Sequence, residues 1–271
     1  MQGPIDAALG LVAAGNAFLQ GRDVSGFWPD AQTFIYTKAC EFRTPPDNGQ
    51  TDFPLLAADP LDWFASLKPW CRGLRLHNSP ALLQPGQLPG LSERMSVAFV
   101  GGGPRWLVEA VGDGRSELWE SFQRFGDRED PQQKIWLTTW IRQGEHPPFD
   151  AEAIRLEEAV RDFRVVLPEI AGFARLHALD NFAELFERSL RILEGEPLMG
   201  VADDADLNRY GHAGEDALRA YAAVGPAWVF GGMGSWNDLG GVPEPYEELS
   251  ERLFRALCDV VCGVATATYR G

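Results

Sequence analysis

MSVAFVGGGPRWLVEAVGDGRSELWESFQRFGDREDPQQKIWLTTWI, residues 95–141, is the stretch that decides the fold. It contains closely spaced runs of β-branched and aromatic side chains, separated by glycine-rich or charged breaks. The runs predict four strands, at 96–100, 105–111, 116–125 and 134–141. Each connection is too short to hold a crossover helix, so the strands are expected to form an antiparallel β-meander.

Sequence upstream of this stretch extends the predicted sheet. Residues 33–42, TFIYTKACEF, and residues 70–77 also have the composition of strands, so the sheet is expected to hold six. The N-terminal 20 residues predict a small helix, and a second short helix is expected to begin at Asp59 or Asp62 and to end before Pro69.

The strand pattern stops after residue 145. Apolar side chains then recur at helical spacing in four segments, beginning near Asp150, Asn181, Glu215 and Pro245. Strands followed by helices favour segregated layers over a doubly wound sheet. We therefore predict an α+β fold, in which a mostly antiparallel sheet from the N-terminal half packs with a C-terminal helical layer.

Two organisations fit this order of elements. The chain divides into a sheet subdomain at 1–145 and an acidic helical subdomain at 146–271, or the two halves form one integrated domain. The last predicted helix, 245–268, is apolar nearly all round. A helix of this kind is normally central to a packed layer or forms half of a dimer interface, so a homodimer through 245–268 is one expectation.

Charge is unevenly distributed along the 271 residues. The chain has 39 acidic and 24 basic side chains and a formal net charge of −15. Residues 1–145 hold 17 acidic and 13 basic groups, and residues 146–271 hold 22 and 11. Such a chain repels nucleic acid and anionic lipid, whereas it attracts a basic protein. The sequence shows no recognisable export signal and no apolar run of membrane-spanning length. On this basis we expect a cytoplasmic protein.

Two glycine-rich segments are candidates for a small-molecule pocket. Residues 228–241 interleave five glycines with two tryptophans, so Trp236, Asn237 and Asp238 are predicted to form a pocket wall with an aromatic plate and two polar tips. The Gly101–Trp106 turn would add Arg105 and Trp106. The alternative is a structural loop, anchored by its aromatic residues, in which Asn237 or Asp238 caps a turn. Neither segment matches a nucleophile elbow or a phosphate-binding loop.

Metal ligands and acid–base groups are weakly indicated, and no cofactor is expected. Asp204, Asp206, Asn208 and Glu215 occupy positions 1, 3, 5 and 12 of a calcium loop, but Arg209 stands where that loop requires glycine. The four cysteines contain no CxxC pair and are expected to be buried thiols. Glu109 is expected to approach Glu117 or Glu120 across a hairpin, an arrangement that also occurs in acid–base sites.

Two hypotheses of different class follow. The first is a non-enzymatic protein of the neutralising or immunity type, which engages a basic protein through its acidic helical half. The second is an enzyme or sensor with a small-molecule pocket built from the 228–241 loop and the Gly101–Trp106 turn. The role of Asn237 and Asp238 separates them, since a pocket leaves their polar groups free and a structural loop uses them as caps.

Overall fold

Six strands form one mostly antiparallel sheet in the computed structural model, which describes residues 3–46, 51–79, 92–97, 103–146, 153–198 and 206–269. The strands are β1 (Thr37–Arg43), β2 (Leu55–Ala57), β3 (Cys71–Ser79), β4 (Arg105–Gly112), β5 (Arg115–Phe125) and β6 (Trp136–His146). Their order across the sheet is β2-β1-β6-β5-β4-β3, and only the β1–β6 pair is parallel.

The meander exists, but its first strand is not the predicted one. Ser96 ends a short helix, α3 (Glu93–Ser96), whose N-cap Ser92 accepts a hydrogen bond from the Met95 amide. This cap and the helical hydrogen bonds favour a helical turn over a strand. The predicted strand at 96–100 is therefore wrong at its first residue, and residues 98–100 lie outside the described residues. Strand β3 takes its place beside β4, with Leu76 opposite Val108.

Seven further α-helices and two short 3₁₀ helices, Gln32–Phe34 and Trp236–Asp238, complete the described structure. The α-helices are α1 (Gly3–Leu19), α2 (Pro60–Leu67), α4 (Leu156–Leu176), α5 (Asp180–Leu193), α6 (Asp206–Arg209), α7 (Glu215–Ala227) and α8 (Tyr246–Ala267). Asp59 caps α2 by accepting a hydrogen bond from the Asp62 amide, as the sequence predicts. Asp150, the predicted start of α4, lies outside the described residues, and the helix begins after Arg155.

The helices form two layers on one side of the sheet. Helices α1 and α8 pack against β3, α4 and α7 pack against α8, and α5 packs against α4 and α7. One continuous cluster of buried apolar residues contains side chains from the sheet and from every one of these helices. The chain is thus an α+β protein, and the 1–145 and 146–271 parts share a core.

Helix α8 lies at the centre of this packing. Fourteen of its residues are buried, including Leu253, Leu257 and Val261, and they contact elements of their own chain. These residues pack within their own chain, and the homodimer through 245–268 stays a prediction. Along the described residues, no helix combines the length and the apolar character needed to cross a membrane.

Candidate functional site

The aromatic part of the 228–241 segment is an anchor in the helical core. Trp236 is fully buried, and its Nε1 donates a hydrogen bond to Ser250 Oγ on α8 at 2.7 Å. Its ring meets Phe182 and Phe186 of α5 edge-on, at centroid distances of 5.1 and 5.3 Å. Trp236 was predicted to be the aromatic side chain of a pocket wall, but it packs between α5 and α8.

The polar side chains of this segment, Asn237 and Asp238, also form hydrogen bonds within the chain. Asp238 Oδ2 accepts hydrogen bonds from the Gly234 and Ser235 amides at 2.6 and 3.2 Å. Asn237 Oδ1 accepts from Arg94 Nη1 at 2.5 Å, and its Nδ2 donates to the Arg94 carbonyl at 2.8 Å. These contacts match the alternative that the sequence left open, a structural loop whose polar side chains cap backbone groups.

Arg94 connects this loop to helices α3 and α8. Its guanidinium is buried and forms ion pairs with Glu247 and Glu251 on the first turns of α8, at 2.5 and 3.1 Å. Helix α3, the 228–241 segment and α8 are therefore held together by one charged group. No sequence pattern indicates this role, since Arg94 lies in no motif.

Arg105 and Trp106 do not form a wall together. They alternate to opposite faces of β4, as adjacent strand residues must. Trp106 belongs to the helix-side core, whereas Arg105 Nε donates to Glu120 Oε1 at 2.6 Å. Gly101 and Gly102 lie outside the described residues, and the Gly103 amide donates to Ser96 Oγ at 2.9 Å.

The carboxylates on β4 and β5 that the sequence predicted to approach each other contact basic side chains. Glu109 meets His77 Nε2 at 2.8 Å, and both side chains are buried. Glu117 meets Arg115 and Arg142 at 2.6 and 3.0 Å, while Glu120 is paired with Arg105. Each of these buried carboxylates contacts at least one basic side chain, as buried polar groups in proteins generally require a partner.

A cleft of about 740 Å³ opens between α1 and the sheet. Residues 32–37 form one side, Gln123, Trp136 and Thr138 of β5 and β6 line the floor, and α6 and α7 close one end. The charged residues that line it are Asp6 and Asp206. Clefts of this size commonly hold a small molecule or an anchoring side chain.

Each of the two carboxyl groups in this cleft is positioned by neighbours. Asp6, in the first turn of α1, accepts a hydrogen bond from the Tyr221 hydroxyl of α7 at 3.1 Å. Asp206 accepts from the Gln32 and Thr33 amides at 3.0 and 2.7 Å. Burial raises the pKa of both carboxyl groups above the ordinary 3.8, and it also raises the pKa of Tyr221.

Asp206 was predicted from sequence only as a calcium ligand, and the structure gives it this other setting. It begins helix α6, which contains Asn208, and Glu215 pairs with Arg219 on α7 at 3.1 Å. Asp204 lies outside the described residues, within which no group of three or more metal-ligating side chains occurs. Asp6 was missed, although it is the one charged residue of helix α1.

Comparison with known proteins adds no relative to this description. No protein-family model, curated protein or solved structure matches the chain.

Proposed function

We propose that this chain is a cytoplasmic, neutralising-type binding protein, which holds a basic protein by taking one of its lysine or arginine side chains into the cleft between α1 and the sheet. The observation that carries the proposal is the charge of that cleft: Asp6 and Asp206 line it, and no lysine or arginine stands among its described lining residues. The four free, buried cysteines suit a reducing compartment.

The state of the two carboxyl groups favours a cationic occupant. Their raised pKa values mean that the protein around them stabilises the neutral form at the expense of the charged form. An ammonium or guanidinium group in the cleft would add positive charge to that of Arg209, which already acts on Asp206, and Trp136 and Phe34 offer aromatic rings beside it. Thr33, which lines the cleft, has a buried Oγ1 with no hydrogen-bond partner in the described part of the chain.

The rim of the cleft favours a macromolecule over a small amine. Ile35 and Tyr36 line the opening and are 54% and 51% exposed. Phe125, 40% exposed, stacks on Trp136 with 4.3 Å between ring centroids. Exposed apolar side chains around one polar anchor are typical of protein-binding surfaces. The net charge of −15 would speed the approach of a basic partner.

This proposal keeps the partner predicted from sequence and moves the contact. Many carboxylates of the acidic helical half are already paired within the chain: Arg175 bridges Asp180 and Glu187 at 2.8 Å each, and Arg252 pairs with Glu169 at 2.6 Å. Their charge is partly neutralised locally, so we place the anchor where the carboxylates have no cation among the described lining residues.

The test uses a peptide array in which one lysine or arginine is flanked by apolar residues, each peptide being matched by one with glutamine at that position. We expect the wild-type chain to bind the basic peptides and not their glutamine counterparts. Asp6→Asn should weaken binding by about tenfold, because it removes one charge from a charge-assisted contact. Glu184→Gln is the control, since Glu184 is an exposed carboxylate on α5 and its loss changes the net charge equally.

Three results would contradict the proposal. Equal binding by Asp6→Asn and wild type would remove the cleft from the contact. An equal loss in Glu184→Gln would mean that net charge alone attracts the peptides. Agmatine binding as tightly as the peptides would favour the other class of function predicted from sequence, a small-molecule-binding protein.

A further inference from the structure

A second concave surface has the opposite charge. A groove of about 830 Å³ lies between α4, α7 and α8, and four arginines line it: Arg155, Arg161, Arg164 and Arg219. The carboxylates in its lining are Glu157 and Asp216. In residues 146–271 acidic groups outnumber basic ones by 22 to 11, whereas the lining of this groove holds four arginines and two carboxylates. Glu158, Asp162 and Glu215 pair with three of these arginines from outside the lining.

Two of the four arginines are fixed by the backbone. Arg164 Nη2 donates to the Leu193 carbonyl at 2.6 Å, and Arg219 Nη1 donates to the Ile192 carbonyl at 3.0 Å. Both carbonyls belong to the last turn of α5, where cationic side chains satisfy free acceptors. Each guanidinium has five donors, so these bonds orient the groups and leave other donors for a ligand.

The other two arginines are only weakly committed. Arg155 and Arg161 are 66% and 68% exposed, and their partners, Glu158 at 3.2 Å and Asp162 at 3.1 Å, are exposed neighbours along the chain. Exposed pairs of this type contribute little to stability, typically ~0–1 kcal/mol. An anionic ligand can therefore displace them at small cost.

Two further features point to an anion with an apolar body. Helix α4 begins at the groove, and its N-cap Arg155 makes no side-chain cap hydrogen bond, so the N-terminal end of a 21-residue helix lies there, with Glu157 and Glu158 in its first turn. Thr266, a half-buried residue of the lining, has a buried Oγ1 with no hydrogen-bond partner among the described residues. Between these polar groups the surface is apolar, with contributions from Ile154, Leu156, Val160, Leu193, Ala220 and Ala267.

We infer that this groove binds an amphipathic carboxylate, a small molecule with one carboxylate head and an apolar chain. Arg161 and Arg164 hold the head through charge-assisted hydrogen bonds, and Ile154 and Val160 contact the chain. The lining residues of the groove and of the acidic cleft do not overlap. The inference is therefore independent of the proposed function.

Decanoate, used below its micelle concentration, is the probe, and isothermal titration calorimetry is the measurement. We expect one decanoate per chain, and no binding of decylamine, which has the same apolar chain and the opposite charge. The Arg155→Gln/Arg161→Gln double variant should bind at least about tenfold more weakly. Both side chains are exposed, so the variant is expected to fold.

The matched control is the Arg175→Gln/Arg191→Gln double variant, which removes the same charge from exposed pairs outside the groove. It should bind decanoate as the wild type does. Three outcomes would overturn the inference: decanol binding as tightly as decanoate, equal weakening in both double variants, or wild-type affinity in the Arg155→Gln/Arg161→Gln variant.

Discussion

Asp6 shows at the scale of one residue how burial makes stability depend on pH. Burial raises the pKa of Asp6 in the folded chain above 3.8, the ordinary value that applies to the unfolded chain. Between the unfolded and the folded pKa, the folded state therefore binds more protons than the unfolded state. The stability of the wild type therefore falls as pH rises through this window, and Asp6→Asn, whose amide oxygen can still accept from Tyr221, lacks this loss. The difference in unfolding free energy between Asp6→Asn and wild type should therefore shift in favour of the variant from about pH 4 upward. Urea denaturation of both proteins at several pH values would measure this difference. A difference that does not change with pH would contradict the prediction.

Asn237 and Asp238 separate a structural loop from a pocket wall. Asp238→Ala removes the acceptor of two backbone amides and should cost about 0.5–2 kcal/mol. Asn237→Ala removes two hydrogen bonds with buried Arg94, one to its guanidinium and one to its backbone carbonyl, and should cost about 1–3 kcal/mol. Met233→Ala, at a fully exposed position of the same segment, is the control and should leave the melting temperature unchanged. If both polar variants melted at the wild-type temperature, the hydrogen bonds of Asn237 and Asp238 would not stabilise the loop.

At the scale of elements, the contact between α4 and α8 depends on a glycine. A Cβ at Gly263 would lie 2.9 Å from Leu156 Cα, so the helices can approach this closely only without a side chain at that position. Gly263→Ala should therefore destabilise the chain by about 1–3 kcal/mol despite alanine's higher helix propensity. A Cβ at Gly172, on the exposed side of α4, would have no atom within 4 Å, and Gly172→Ala should stabilise by about 0.5–1 kcal/mol. Thermal melts of both variants would test this contrast; equal signs would contradict it.

At the scale of the whole molecule, the cysteines report on the shared core. Cys40 and Cys71 come from the sheet and Cys258 and Cys262 from α8, and all four are buried and free. Burial raises the pKa of the Cys71 thiol to about 12, and it raises the pKa values of the other three as well. A thiol reagent should therefore modify all four at one rate, that of global unfolding. If the α8 thiols reacted faster than the sheet thiols in the native chain, the two halves would open separately.

Long-range charge is also a property of the whole chain. If a basic protein approaches the acidic cleft, its association rate constant should decrease steeply between low and physiological salt, because exposed charges are screened over about 10 Å at 0.1 M. Stopped-flow measurement with a basic peptide selected on the array would give this rate. A rate that does not respond to salt would remove electrostatic steering from the proposed function.

The type and position of most elements follow from the amino-acid sequence alone. Periodicity predicts α8 at 245–268, and the helix spans Tyr246–Ala267; the runs of β-branched and aromatic residues likewise locate β4 and β5. These patterns are local, because the spacing of apolar residues records which side of an element is buried. The α+β class follows from their order along the chain, which needs no knowledge of contacts.

Which elements meet is fixed only when the chain packs in three dimensions. Local patterns do not specify a strand's partner, so the replacement of 96–100 by β3 and the parallel β1–β6 pair were not predictable. For the same reason, the sequence did not show that Trp236 is a buried core residue and not part of a pocket wall. Nor did it show that Asp6 and Tyr221, which are 215 residues apart, meet at a cleft. A site assembled from distant segments has no spacing to recognise, since its geometry arises only when the helices pack on the sheet.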